Sequence, residues 1–182
     1  CRIETRQREN QNILKNQNML KGDCIKLLTE YIQARIKMDN SIMKDYFEWF
    51  LRNSRIYNTI NREESKILSK NAVIKECYNN CFKSLYDTYK IKSKVLKYIE
   101  GYTMSLIPIE HAFLINENNE IIDPTLAINT KYDKRSERYG SEYIGIKIPK
   151  KILLEFRSNT KKYNQYLPIP FLYYQEIEGK DL

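Results

Sequence analysis

The sequence predicts a mixed α+β fold in which helices come first and a helix then packs on an antiparallel sheet. Up to about residue 70, apolar residues recur with the helical period, whereas after Lys90 short β-branched and aromatic runs alternate with turn residues. We therefore expect an N-terminal helical segment over residues 1–70 and a core with an extended C-terminal tail over residues 71–182.

Composition limits the class of protein. The 182 residues, 42% of them hydrophobic, fit one domain with a sizeable core. No apolar run approaches the roughly 18 residues that cross a bilayer, so no membrane partner is expected. The five glycines form no Gly-rich phosphate loop, which excludes P-loop and Rossmann proteins. The net charge of +8 favours an anionic partner, but no nucleic-acid-binding motif accompanies it, so nucleic acid is a possible and not a favoured ligand.

The cysteines do not indicate a metal site. Cys1, Cys24, Cys77 and Cys81 lack zinc-ribbon spacing, and with one histidine in the chain a structural zinc would need nearly all of them. We expect reduced thiols and neither metal nor cofactor. A cytoplasmic location is the default expectation, and because residue 1 is Cys rather than Met, the alternative interpretation is a processed piece of a longer protein.

Helical periodicity predicts two N-terminal helices, one from Cys24 to Ile36 and one from Ile42 to Phe50. Their apolar stripes favour packing against the rest of the domain over a separate partner-binding hairpin. A third helix is expected from about Val73 to Tyr89, and a short one near Ile152 to Phe156.

Alternating and β-branched runs predict four strands. These are Val95–Thr103, His111–Asn116, Glu120–Asp123 and Tyr143–Ile148. The charged stretch from Thr130 to Gly140 is typical of a surface loop, and the proline-broken apolar stretch from Leu167 to Tyr174 is expected to be extended.

The two middle strands form a hairpin whose register determines where the single histidine, His111, points. A two-residue loop at Asn118-Asn119 would place His111 and Asp123 on opposite faces of the sheet. A three-residue loop with Asn119 in the left-handed conformation pairs Phe113 with Asp123, so that His111 and Asp123 share a face in a diagonal relation. In that register the carboxylate can orient the imidazole and stabilise its cation.

A thiol near the start of a helix completes a set of groups for nucleophilic catalysis. The helix dipole and a neighbouring imidazolium both favour the thiolate. With a helix starting near Asn71-Ala72, Cys77 meets this condition better than Cys81, which stays as the alternative nucleophile. The residues therefore suggest Cys77, His111 and Asp123 as a catalytic set.

Several short motifs resemble a known family. His111-Ala112-Phe113, followed twelve residues after the histidine by Asp123-Pro124-Thr125, resembles the His-Ala-Trp and Asp-Pro-Thr strands of the transglutaminase-like branch of the papain-like cysteine enzymes. The segment Cys77-Tyr78-Asn79-Asn80 is similar to the one that supplies the nucleophile in small bacterial and phage proteins of this kind. The resemblance covers residues 74–149 and implies a papain-like core with thiol acyl-transfer chemistry on amides.

The expected activity is hydrolysis of an amide in a peptide or protein substrate, with transglutaminase-type cross-linking or an inactive binding fold as alternatives. A nucleic-acid-binding module and a domain whose helices dock a partner are weaker competitors. Asn71 and Asn80 are candidates for the second oxyanion donor, although helix capping and packing explain them equally well. Glu100, Tyr102 and Glu110 border the proposed cleft, and ordinary sheet positions are the favoured interpretation for them.

Overall fold

A computed structural model describes residues 23–39, 42–105, 107–132, 142–158 and 168–179. These residues form a mixed α+β structure with seven α-helices and a five-stranded antiparallel sheet. The helices are α1 (Asp23–Met38), α2 (Ile42–Asn53), α3 (Arg62–Leu68), α4 (Cys77–Ser84), α5 (Pro124–Tyr132), α6 (Lys150–Ser158) and α7 (Ile169–Glu178). The strands are β1 (Arg55–Tyr57), β2 (Lys97–Met104), β3 (Pro108–Ile115), β4 (Ile121–Ile122) and β5 (Tyr143–Ile148).

The sheet has the order β1-β5-β2-β3-β4, so β2 lies at its centre and is buried along nearly its whole length. In the larger hydrophobic core, α1, α2, α4 and α7 pack against one side of the sheet, through residues such as Leu28, Phe50 and Phe171. A smaller cluster forms around Phe113 on the other side. The expectation that both N-terminal helices pack against the rest of the chain is confirmed, because the period of 3.6 brings their apolar residues onto one stripe.

The hairpin between β3 and β4 has the three-residue loop that places His111 and Asp123 on one face. Leu114 pairs with Ile122 and Ile115 with Ile121. Asn119 adopts a φ of 59°, which Asn tolerates better than most residues. The predicted register is confirmed.

The tail is a helix, so the prediction of an extended segment from Leu167 to Tyr174 is wrong over the described residues from Pro168 onward. Pro168 is the N-cap of α7, and Pro170 falls within the first turn, where a missing N–H costs no helical hydrogen bond. Phe171 and Tyr174 are buried against α2, which stabilises the helix through its apolar face.

Three further boundaries differ from the sequence-based expectation. Strand β1 lies in a region predicted to be helical, and it forms because Arg55–Tyr57 pairs with the edge of β5. The third helix begins at Cys77 rather than at Val73 and ends at Ser84. Helix α5 runs to Tyr132, so the predicted loop at Thr130–Gly140 starts too early, and its residues 133–140 lie outside the described part.

Three predicted strands are present with different bounds: β2 is Lys97–Met104 rather than Val95–Thr103, β3 is Pro108–Ile115 rather than His111–Asn116, and β4 is Ile121–Ile122 rather than Glu120–Asp123. Strand β5 has the predicted bounds, and the predicted short helix lies within α6. Within the described ranges, no helix combines the length and the apolar character that crossing a membrane requires.

Candidate active site

The single histidine is paired with a buried carboxylate. His111 lies on β3, and its Nε2 is 2.6 Å from Oδ2 of Asp123, the residue that follows β4. The Tyr143 hydroxyl, at the start of β5, donates to the same oxygen at 2.9 Å. Since Nε2 is engaged by Asp123, Nδ1 is the ring nitrogen left to face a nucleophile.

The other carboxylate oxygen of Asp123 caps a helix. Asp123 Oδ1 accepts hydrogen bonds from the backbone N–H groups of Thr125 at 3.0 Å and of Leu126 at 2.8 Å, in the first turn of α5. An aspartate followed by proline is a favoured start of a helix. The backbone N–H of Asp123 in turn donates to Ser65 Oγ on α3 at 3.0 Å. Asp123 is therefore held from both sides and cannot rotate without breaking several hydrogen bonds.

The electrostatics favour an ionised pair. Burial by itself would lower the pKa of His111, but the Asp123 carboxylate and the Cys77 side chain raise it to about 10. Burial would raise the pKa of Asp123, yet His111 and the hydrogen bonds to the carboxylate keep that pKa below its ordinary value. At neutral pH the site therefore holds an imidazolium beside a carboxylate.

Cys77 is the first residue of α4, and its side chain contributes to raising the pKa of the His111 ring. Its side chain is buried, with 7% of the residue exposed. No side chain caps the start of α4, so the backbone N–H groups of its first turn are open to an anion. The structure thus brings together the three residues that the sequence predicted as a site.

Cys81 occupies a different environment one turn further along α4. It is fully buried, and its thiol donates to the carbonyl oxygen of Ala112 on β3 at 3.2 Å. Burial, followed by the Asp123 charge, raises the pKa of this thiol well above its ordinary value. A thiol that is kept protonated and bound to a strand carbonyl is a structural group, which favours Cys77 as the nucleophile.

The loop before Cys77 is fastened by Asn80. Its Oδ1 accepts from the Val73 N–H at 2.9 Å, and its Nδ2 donates to the Val73 carbonyl at 2.7 Å and to Thr125 Oγ1 at 2.8 Å. These bonds hold a turn in which Lys75 adopts an unfavourable φ of 67°. Because both amide hydrogens are engaged, Asn80 does not serve as an oxyanion donor in this arrangement. Asn71 is exposed at the end of a short 3₁₀ helix.

Glu100 and Glu110 point away from the face that carries His111, because Glu110 directly precedes His111 on β3 and Glu100 pairs with Ala112. Glu100 and Glu110, with Tyr102, border a cavity of about 10 Å³ on the helical side. Glu100 is buried and accepts hydrogen bonds from the Tyr98 hydroxyl at 2.5 Å and from the Ile169 N–H at 3.2 Å. Burial raises its pKa to about 7.

Sequence reasoning missed three supporting residues. Tyr143 was expected only as the start of a strand, Ser65 as part of a helix, and Asn80 as a candidate catalytic donor. Tyr143 and Ser65 bind Asp123 from 20 and 58 residues away in the chain, and Asn80 holds the loop before Cys77. No local sequence pattern marks such contacts.

Comparison with known proteins found no match: no protein-family model, no curated protein and no solved structure shows significant similarity to the chain.

Proposed function

We propose that the protein is a thiol-dependent acyl-transfer enzyme that acts on amide bonds of a peptide or protein. Cys77 is the nucleophile, His111 carries the proton, and Asp123 orients the ring. The observation that supports this most directly is the 2.6 Å pairing of His111 with Asp123, together with Cys77 at the uncapped start of α4, where its side chain contributes to raising the pKa of the His111 ring.

The arrangement supports a two-step reaction. The Cys77 thiolate attacks the amide carbonyl, and N–H groups at the start of α4 can stabilise the resulting oxyanion. His111 gives its proton to the leaving amine as the C–N bond breaks, which leaves a thioester on Cys77. Neutral His111 then takes a proton from water, the hydroxide attacks the thioester, and the carboxylic acid and free Cys77 are released.

Hydrolysis is the preferred outcome, because water is always available whereas an amine acceptor would need a groove of its own. The order of the elements also supports the papain-like assignment. A helix that begins with cysteine precedes two antiparallel strands, the first carrying His111 and the second followed directly by Asp123, as the resemblance to the transglutaminase-like branch implies.

The test is to incubate the protein with a pool of peptides that contain backbone and glutamine side-chain amides, with and without an added primary amine. Mass spectrometry then detects cleavage, the one-dalton change of deamidation, or an amine adduct. We expect cleavage or deamidation with the wild type and with Cys24→Ala, a buried cysteine of α1 that serves as the matched control.

Cys77→Ala and His111→Ala should give no product. Amine adducts without cleavage or deamidation would show that the protein catalyses cross-linking rather than hydrolysis. Two results would overturn the proposed enzymatic function. One is equal amounts of product from the wild type and from Cys77→Ala; the other is no product from any variant when the pool includes peptides of the physiological partner.

A further inference from the structure

A second cleft, of about 470 Å³, opens where α2, α7 and the strands β1, β2 and β5 meet. Neither Cys77, His111 nor Asp123 lines it, so it is separate from the candidate active site. Its volume lies in the range of ligand-binding sites in proteins.

Cations from four different elements converge on this cleft. They are Arg52 on α2, Arg55 on β1, Lys97 on β2 and Lys147 on β5. None of the four has an ion pair or a side-chain hydrogen bond with another described residue, and Glu178 on α7 is the one carboxylate in the lining. Like charges gathered without partners repel each other, and an anionic ligand would relieve that repulsion.

The cleft also contains an open strand edge. Strand β1 pairs with β5 only from Tyr143 to Gly145. Beyond Gly145, the same side of β5 has no strand partner among the described residues, and Ile146 and Lys147 line the cleft. An unpaired edge offers backbone N–H and C=O groups to an extended peptide.

The aromatic residues of the cleft favour a peptide over a nucleic acid. Of the three aromatic residues that line the cleft, Trp49 and Tyr57 are each only 6% exposed, and the partly buried Tyr173 packs edge-on against Trp49. Rings buried to this extent offer little face for base stacking, which single-stranded nucleic acids use for binding.

We propose that this cleft binds an acidic, extended peptide segment, which pairs with the free edge of β5 and places its carboxylates near the four cations. The binding holds whether or not Cys77 is catalytic. If the proposed function is correct as well, the cleft is a docking site for an acidic part of the protein substrate.

The test measures binding to Cys77→Ala protein by fluorescence anisotropy, which separates binding from turnover. The probes are an eight-residue peptide of alternating Glu and Val, the same peptide with Lys for Glu, and an octamer of thymidylate. We expect the acidic peptide to bind, the lysine peptide not to bind, and added salt to weaken the binding.

Charge reversal locates the site. Arg52→Glu with Lys147→Glu should raise the Kd for the acidic peptide by about tenfold or more. Lys26→Glu with Lys44→Glu, an equal charge change at exposed helix positions outside the cleft, should change it less than about threefold. Circular dichroism checks that each variant folds. If Arg52→Glu with Lys147→Glu does not fold, Arg55→Gln with Lys97→Gln takes its place.

Equal weakening by both pairs would show a diffuse charge effect and overturn the site. If the thymidylate octamer binds more tightly than the acidic peptide, the ligand is a nucleic acid and the peptide proposal is overturned. If the acidic peptide does not bind, the proposal is also overturned. N-methylation of alternate backbone amides in the peptide should weaken binding, and unchanged binding would overturn the strand pairing.

Discussion

Asp123 uses its two carboxylate oxygens for two different tasks, and His111 is the partner in one of them. Oδ2 lies 2.6 Å from His111 Nε2, while Oδ1 accepts two backbone hydrogen bonds at the start of α5. The helix thereby fixes the carboxylate, and the carboxylate fixes the ring. The imidazole is thus held in one orientation, which would remove an ordering cost from the proposed reaction.

The first prediction concerns the protonation of His111. Asp123→Asn removes the negative charge that raises the pKa of the imidazole, so that pKa should fall from about 10 towards or below its ordinary value. Because the chain has one histidine, a proton NMR titration reports this group without ambiguity. Amide turnover should fall by about 100-fold or more.

Tyr143→Phe is the matched control, since it removes one hydrogen bond to Asp123 and keeps the charge. It should leave the imidazole protonated at neutral pH. A wild-type pKa for His111 close to 6.5 would contradict the ion pair.

The second prediction concerns the reactivity of the thiols. Iodoacetamide should modify Cys77 faster than Cys24 or Cys81 in the native protein, because Cys77 begins the uncapped helix α4 and, in the proposed function, its proton passes to His111. Cys81 should be nearly inert, since burial raises its pKa and its thiol is bound to Ala112. Peptide mapping after timed alkylation measures the three rates.

His111→Ala should slow the alkylation of Cys77 and leave that of Cys24 unchanged. Faster labelling of Cys81 would move the nucleophile one turn along α4, and equal rates at all three cysteines would argue for structural thiols.

The third prediction concerns the change in stability between about pH 4.5 and pH 8. The folded-state pKa of Glu100, about 7, lies above the ordinary value of 4.5, so the folded protein retains a proton that the unfolded chain has lost. The free energy of unfolding should therefore fall by roughly 3 kcal/mol as the pH rises from 4.5 to about 8, and this loss should level off above the folded pKa.

Glu100→Gln should flatten that slope, because the amide does not titrate. Glu110→Gln, which changes an exposed carboxyl on the adjacent strand, should keep it. Urea unfolding at several pH values measures the difference, and identical slopes for all three proteins would refute the assignment.

The fourth prediction concerns the close approach of β2 and β5 beside His111. Gly101 pairs with His111 on one side and with Gly145 on the other. A Cβ on Gly101 would lie 2.0 Å from the Ile144 carbonyl oxygen and 2.5 Å from the Gly145 Cα, both backbone atoms that can move only if the strands separate. Gly101→Ala should lower the free energy of unfolding by about 3 kcal/mol or more.

Gly179→Ala is the control, because its Cβ meets no atom within 4 Å and the substitution acts only through the left-handed φ of 63°. It should cost about 1 kcal/mol. Chemical denaturation compares the two variants, and a smaller loss for Gly101→Ala than for Gly179→Ala would contradict the close packing.

The sequence by itself determined the features that depend on local physics. Helical periodicity located α1 and α2, and β-branched alternation located β5 at Tyr143–Ile148. The left-handed tolerance of Asn119 favoured the three-residue hairpin loop over the two-residue one, and with that loop His111 and Asp123 share a face. Period, turn chemistry and strand alternation act over a few residues, so they can be predicted without knowledge of the fold.

Tertiary structure alone decided the features that depend on distant partners. Strand β1 forms because it pairs with the edge of β5, and α7 is a helix because α2 covers its apolar face while Pro168 and Pro170 occupy only its N-cap and first turn. The start of α4 at Cys77 depends on the bonds from Asn80 to Val73 and Thr125. The free energy of each of these contacts comes from residues far apart in the chain, so local propensity cannot predict these features.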